Sequence, residues 1–393
     1  MRWPKVKLGD IGEFKAGFGF PHEFQGKKTG QYPFAKVGDI SNLARAGELY
    51  ISKAANYVSS EDIEILKAKT LPAGTIVFAK IGEAIRQNFR LVTSVEMVVD
   101  NNVMGLIPNT QIIDVDFLYH FLCKLDLYQY IGATTVPALR KSVLENIEIP
   151  LPTLSEQQHI AAVLNKIKSI QFKRDYAIKL ADEFLRTTFL SMFGDPENNP
   201  KQFPIGTIRD LVSSANYGSS GKASEHSGRY PMLRMGNITY QGYWDFTDLK
   251  YIDLDERSKE KFLVRKGDLL FNRTNSKELV GKTAVFESDI EMAYAGYLVR
   301  VRTNELGNNH YISGYLNSAH GKNTLINMSK SIVGMANINA QEMQNIKILI
   351  PPVKLQYKYE EIYKAVRSRV STYIKSKTEL DKLFNTLSNQ LFN

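Results

Sequence analysis

The chain is built twice over. The segment "NIEIPLPTLSEQQ" at residues 146–158 returns as "NIKILIPPVKLQY" at 345–357, and a long stretch of helical spacing follows each copy. Other pieces recur in the same order. "WPKVKLGDI" from Trp3 matches "FPIGTIRDL" from Phe203, and "PFAKVGDI" from Pro33 matches "PMLRMGNI" from Pro231. "LPAGTIVFAKIG" from Leu71 matches "VRKGDLLFNRTN" from Val264. Every pair is displaced by about 200 residues, so the unit that repeats is a domain rather than a solenoid turn.

Between the copies lies a helix with legible ends. Ser155 and Gln158 have capping-box spacing, and Gly194 followed by Pro196 supplies a stop. About 38 residues separate these signals, or roughly 57 Å of helix. That exceeds an ordinary globular helix and suits a spacer or coiled-coil arm. Its apolar seam runs Ile160, Val163, Ile167 and Ile170, then slips in phase near Arg174 and resumes at Ile178, Ala181, Leu185, Phe189 and Met192. The C-terminal helix has a sharper seam: Tyr359, Ile362 or Tyr363, Val366, Val370, Tyr373, Lys377, Leu380, Phe384, Leu387 and Leu391. Heptad stripes of this kind bury against a partner helix, here each other or a second copy of the chain. Antiparallel pairing within one chain sets Arg174 opposite Tyr373 and Lys377 near Ile170, with Asp175 the nearest acid to balance the two cations.

Residues 1–152 and 197–352 read as two mixed α/β units. Apolar runs such as "TIVFAKI", "LVTSVEMVV" and "VMGLIP" alternate with Gly, Pro and Asn, as strands of a twisted sheet do. "VDFLYHFLCKLDLYQYI" from Val115 has helical spacing, with aromatics placed for a core. "DLLFNRTN", "KTAVFES" and "MAYAGYLVRVRT" repeat the strands, and "HYISGYLNSAHGKNTLINM" repeats the helical region. The copies diverge in the stretches between shared landmarks, which is where function is expected.

Sequence motifs for catalysis are missing. "SKELVGKT" (276–283) has Ser276 where a phosphate loop needs Gly, and Thr283 leads into strand-like sequence rather than a helix. "AGFGF" reads as a turn. The acids and lysine of "DIGEFK" stand too close together for a nuclease metal site. The Pro-Pro pair Pro351–Pro352 is followed by Val353, not by the aromatic residue of an amino-methylation motif. Six histidines show no ligand spacing. The lone cysteine, Cys123, excludes a disulfide framework and suits a reducing cytoplasm. No apolar leader or membrane-length run is present.

Polar loops remain. In the first unit they carry Lys80, Arg86, Gln87, Asn88, Arg90, Asn101 and Asn102. In the second they carry Arg273, Thr274, Asn275, Ser276, Lys277, Lys282, Tyr294 and Tyr297. Lys36, Arg234 and Asn237 stand at the matched landmark "PFAKVGDI"/"PMLRMGNI". Arg pairs with guanine and Asn or Gln with adenine in the major groove; Lys, Ser and Thr suit phosphate oxygens. Net charge is +9, and the basic excess lies in 201–352 and 353–393, which agrees with a polyanion partner. These residues are the candidate DNA contacts.

The tandem plan, "IPLPTLSEQQ" opening the long helix, "SMFGDP" closing it and "GATTVPALRKSVLENIEIPLP" (132–152) before it together resemble the specificity subunit of type I restriction–modification systems. The resemblance covers essentially the whole chain. The C-terminal copy departs from it, with "IPPVKLQYKYEE" in place of "LPTLSEQQ". It implies two target-recognition domains (1–152 and 197–352) with twisted sheets, joined and spaced by two long antiparallel coiled-coil helices (153–196 and 353–393). It further implies a non-catalytic reader of bipartite double-stranded DNA that docks two methyltransferase subunits and, in the full complex, motor-nuclease subunits. S-adenosylmethionine, ATP and magnesium then belong to those partners, with no cofactor, metal or membrane attachment on this chain and a cytoplasmic location. A homodimeric DNA-binding regulator, and a nuclease or methylase with an unrecognised site, remain the alternatives.

Overall fold

The computed structural model describes residues 3–132, 136–332 and 335–392; Ala133, Thr134 and Thr135 of the 132–152 stretch lie outside them. The chain divides into two compact units, Met1–Asp175 with Lys375–Asn393, and Tyr176–Ile374. Each long helix therefore contributes one half to each unit.

In the first unit the main sheet comprises β1 (Gly12–Ala16), β2 (Tyr50–Ile51), β3 (Ile76–Ala79), β4 (Arg90–Thr93) and β5 (Val103–Pro108), in spatial order β1-β5-β3-β4-β2. Its central strands are apolar without alternation because both faces are covered. Ile76 and Phe78 enter a core with Phe14, Leu106 and Phe121, while Val77 and Leu91 enter another with Ile40 and Val99. The run "LVTSVEMVV" is not one strand. It gives β4 and then Val98–Val99, which joins a separate three-stranded sheet with Tyr32–Ala35 and Asn56–Val58.

Helix α1 (Val115–Lys124) is capped by the Asp114 carboxylate, which accepts the Phe117 amide at 2.9 Å. Phe117 and Phe121 are buried in the sheet's core, as their spacing requires. The helix stops at Lys124, and Asp126 starts a separate short turn over Leu127–Tyr130.

Helix α2 spans Leu154–Phe193. Its capping box is formed by Thr153 and Glu156, not Ser155 and Gln158: the Thr153 amide donates to Glu156 at 2.9 Å and the Glu156 amide to the Thr153 hydroxyl at 3.4 Å. Thr153 and Glu156 satisfy each other's amides, so the helix starts two residues earlier than Ser155 and Gln158 suggest. Gly194, at φ +80°, closes the helix as expected.

The second unit repeats the plan. Its main sheet holds β6 (Val212–Tyr217), β7 (Leu269–Asn272), β9 (Thr283–Val285) and β10 (Leu298–Thr303), in order β6-β10-β7-β9, with short β8 (Thr274–Asn275) directly after β7. Thr283 opens a strand, as the failed phosphate-loop motif implied. The "MAYAGYLVRVRT" pair divides: β10 stays in the main sheet, and Met292–Tyr294 joins a four-stranded sheet with Tyr230–Leu233, Lys250–Ile252 and Leu263–Val264. Helix α3 (Asn309–Asn317) is the counterpart of α1, capped by Asn308. Ser318 then starts a second helix, Ala319–Met328, its hydroxyl accepting the Gly321 amide at 3.0 Å. The strand β11 (Met335–Asn337) pairs with β8, and helix α4 (Val353–Phe392) ends the chain.

Within each unit α2 and α4 run antiparallel. In the first, Ile160 and Leu164 share a core with Phe384, Leu387 and Phe392. Gln171 donates to Asp381 at 2.6 Å, and Lys377 pairs with Asp175 at 2.6 Å. In the second, Phe189 and Phe193 pack on Tyr311 and Tyr359 with ring centroids 4.6–5.7 Å apart, and burying each such ring contributes about 1.5–3 kcal/mol. Two details differ from the seam arithmetic. Val163 is 39% exposed while Leu164 is fully buried, and Lys377 meets Asp175 rather than the Ile170 level. With Leu164 and Gln171 facing inward, the facing residues move along by about one turn.

Two glutamines reveal how the repeat is kept. Gln157 and Gln356 are both 0% exposed. Each donates to the carbonyl of Pro152 or Pro351 at 2.9 Å, and to that of Ile112 or Leu306 at 3.1 or 3.0 Å. The divergent C-terminal copy therefore retains the residue that ties the helix start to its unit.

Candidate nucleic-acid interface

The same backbone junction recurs where the central strand of each main sheet ends. Lys80 follows β3; its amide donates to the Asn102 carbonyl at 2.7 Å and its carbonyl accepts from Leu139 at 2.9 Å. Arg273 follows β7; its amide donates to the Tyr297 carbonyl at 3.0 Å and its carbonyl accepts from Ile338 at 2.9 Å. Both cations thus leave a backbone clamped on two sides, between the sheet and a segment returning from far along the chain. Close approach at equivalent glycines completes the match. A Cβ on Gly17 would lie 1.9 Å from the Asp100 carbonyl oxygen, and one on Gly218 would lie 2.3 Å from that of Ala295. Gly17 of "AGFGF" therefore serves backbone contact rather than a turn, while a Cβ on Gly19 would meet nothing within 4 Å.

Several candidates gather at these junctions. In the second unit Arg273, Thr274, Asn275, Tyr297 and Lys282 are neighbours: Lys282 accepts the Asn272 amide through its carbonyl, and β8 carries Thr274 and Asn275. Burial lowers the Lys282 ammonium below its ordinary pKa. Ser276 and Lys277 continue from β8, the Ser276 amide donating to Asn275 and Lys277 being exposed. In the first unit Lys80 and Asn102 meet, with exposed Asn101 beside them. Among the described residues the Lys80 ammonium has no hydrogen bond or ion pair.

Other candidates are engaged within the fold. Arg90 is 2% exposed and donates to the Asn88 and Leu125 carbonyls; burial lowers its pKa. Asn88, at φ +57°, holds the same turn by donating to Leu125 at 2.8 Å. Arg86 stacks on Tyr128 at 3.8 Å and pairs with Glu83, and Gln87 accepts from Arg45. Tyr294 is wholly buried, and its desolvated hydroxyl is pushed up to about 12. Asn237, 3% exposed, ties the Arg234 amide to the Asp245 and Asp248 carbonyls. The Arg234 side chain pairs with Asp248 at 2.8 Å, and Lys36 donates to Gln25 at 2.7 Å. Arg90, Asn237 and Tyr294 are buried and serve the structure in which they sit, whereas Arg86 and Gln87 remain exposed.

Sequence reasoning missed Tyr217 and Asn337. The Tyr217 ring lies 4.8 Å from the Arg273 guanidinium carbon, and Asn337 accepts from the same guanidinium at 3.4 Å. Nothing local marks either residue, because their partner is distant in sequence. Histidine spacing likewise gave no metal motif, yet the fold brings His320 to Asp195 and Glu197, with ligand atoms within 4.8 Å of one another. Both carboxylates are exposed. No helix among the described residues is long and apolar enough to cross a membrane.

Comparison with known proteins gives a consistent picture. The pattern that defines the type I restriction modification DNA specificity domain matches residues 2–179 and again 200–381. The chain is 23% identical over 272 residues to the EcoKI specificity subunit of Escherichia coli K12, covering 64% of this chain and 58% of that subunit; it therefore spans less than two thirds of that relative. Against the MjaIX specificity subunit of Methanocaldococcus jannaschii, identity is 21% over 413 residues, covering 98% and 91% of the two chains. The crystal structure of a type I restriction–modification S subunit from M. genitalium shares the fold, with a TM-score of 0.65 at 16% identity, covering 100% and 96%.

Proposed function

Because the chain belongs to the type I restriction modification DNA specificity family, we propose that it is the DNA-reading subunit of a restriction–modification complex, each unit contacting one part of a bipartite target. The observation that carries this reading is the duplicated junction, with Lys80 and Arg273 set on equivalent backbone at the end of each main sheet. A phosphate or a guanine edge suits an outward cation so placed. One scaffold with different side chains at equivalent points can read two different half-sites.

The chain performs no chemistry of its own in this proposal. Two methyltransferase subunits dock on the long helices and motor-nuclease subunits complete the restriction enzyme, so S-adenosylmethionine, ATP and magnesium are held by partners. The paired helices act as the ruler between half-sites. One turn of DNA is about 34 Å, within the reach of helices of this length.

The test is a loop exchange. Replacing residues 80–90 with the loop of a homologue, in cells that carry the partner subunits, is expected to change one half of the methylated motif and leave the other intact. A change in both halves together, or methylation by the purified chain without a partner, refutes the reading.

A further inference from the structure

We infer that Tyr217 and Asn337 are positioning residues that hold the Arg273 guanidinium ready to read one guanine in the half-site of the second unit. The inference rests on the DNA-reading function proposed above and assigns roles that function does not require.

The guanidinium is fixed from two directions. Tyr217 stacks under it at 4.8 Å, its place set by strand pairing with Val299, and its hydroxyl also accepts the Ala340 amide at 3.0 Å. Asn337 accepts from Nη2 at 3.4 Å, and its own amide donates to the Thr274 hydroxyl at 2.8 Å, which sets its orientation. Thr274 is itself buried at 8% exposure. An arginine offers five donors in a planar fork. Among the described residues the Asn337 contact is the only hydrogen bond made by this guanidinium, and its Nε is buried without a partner. The remaining Nη donors are unspent and their plane is set in advance, which reduces the ordering cost of bidentate binding.

The first unit supplies an internal control. Strand register makes Ala16 the counterpart of Tyr217: Ala16 pairs with Met104, which pairs with Phe78, and Lys80 follows two residues on. Tyr217 pairs with Val299, which pairs with Phe271, and Arg273 follows two residues on. Ala138, the residue before Leu139, is likewise the counterpart of Asn337. On the same backbone the first unit thus carries Ala16, Lys80 and Ala138, with no ring to stack on and no amide to accept. A lysine there is a mobile point charge, suited to phosphate, whereas the second unit carries a held fork.

The experiment uses the chain assembled with its methyltransferase subunits and reads methylation across a library of target variants. Tyr217→Ala and Arg273→Lys are expected to relax the same single base position, lowering discrimination about tenfold, and to leave the other half-site unchanged. Tyr217→Phe keeps the ring and is expected to keep discrimination within about twofold of the parent. Thermal melts of each variant report folding separately. The inference is overturned if Tyr217→Ala retains parental discrimination at every position. It is also overturned if Tyr217→Ala weakens methylation of all sequences equally, or if Tyr217→Phe behaves like Tyr217→Ala. A parent complex that reads no bipartite motif overturns the proposed function itself, and this inference with it.

Discussion

Gln157→Leu removes three hydrogen bonds while nearly conserving volume, so its cost can be worked from the partners left behind. The bond to the Pro152 carbonyl is buried, and those to the Ile112 carbonyl and from the Asp114 amide are partly buried. A buried group left unpaired costs about 1–3 kcal/mol, and each partly solvated bond about 0.5–1.5 kcal/mol. The expected loss is about 2–6 kcal/mol. Gln356→Leu is the matched comparison. Among the described residues Gln356 makes only the two carbonyl bonds, and its Oε1 is buried with no partner. Leucine removes that penalty together with the bonds, so the loss should be smaller by about 1.5–4.5 kcal/mol. Gln158→Leu, at an exposed position next door, should change stability by less than about 0.5 kcal/mol. Urea unfolding gives the three values, and hydrogen exchange gives a local reading: the Asp114 amide, which donates to Gln157 at 2.7 Å, should exchange faster only in Gln157→Leu. Equal losses from Gln157→Leu and Gln158→Leu would refute the anchoring role, as would unchanged exchange at Asp114.

Three further outcomes are expected. Lys282→Ala should weaken binding to every DNA sequence and lower the slope of log affinity against log salt by about one, whereas Arg273→Ala should cost about 1–3 kcal/mol of discrimination at one base; binding titrations at several salt concentrations separate the two. Inserting one heptad into α2 and one into α4, both on the same side of the Asp175–Lys377 pair, keeps the stripes in phase and should lengthen the spacer of the methylated motif; an unchanged spacer in an active complex would remove the helices as the ruler. Hydrogen bonds from Lys27, and then from the Ser59 amide, hold the Asp62 carboxyl below its ordinary 3.8. The folded-state value is the lower one, so this stabilisation is complete above that range and is lost as pH falls through and below it. Acid unfolding of Asp62→Asn should accordingly depend less on pH than that of the parent chain.

The sequence determined the features that depend on order along the chain. Repetition of "NIEIPLP" as "NIKILIP" fixes two units of one plan, and Gly194 ends α2 because only a left-handed residue closes a helix there cheaply. Apolar runs without alternation become the central strands β3 and β7, since both of their faces are buried. The lysine and arginine that close the repeated landmark, Lys80 and Arg273, were visible for the same reason. Tertiary structure alone decided what depends on partners distant in sequence. Arg90 and Tyr294 looked like reading residues by type, yet the fold closes Leu125 over one and packs the second sheet around the other. The capping box lies at Thr153 and Glu156, two residues ahead of the spacing that Ser155 and Gln158 offered. Gln157, next to a glutamine in full solvent, became an anchor only when Ile112 and Asp114 came within reach. Tyr217 and Asn337 gained significance in the same way: a ring and an amide acquire a role at Arg273 only once sheet register and a returning strand bring all three together.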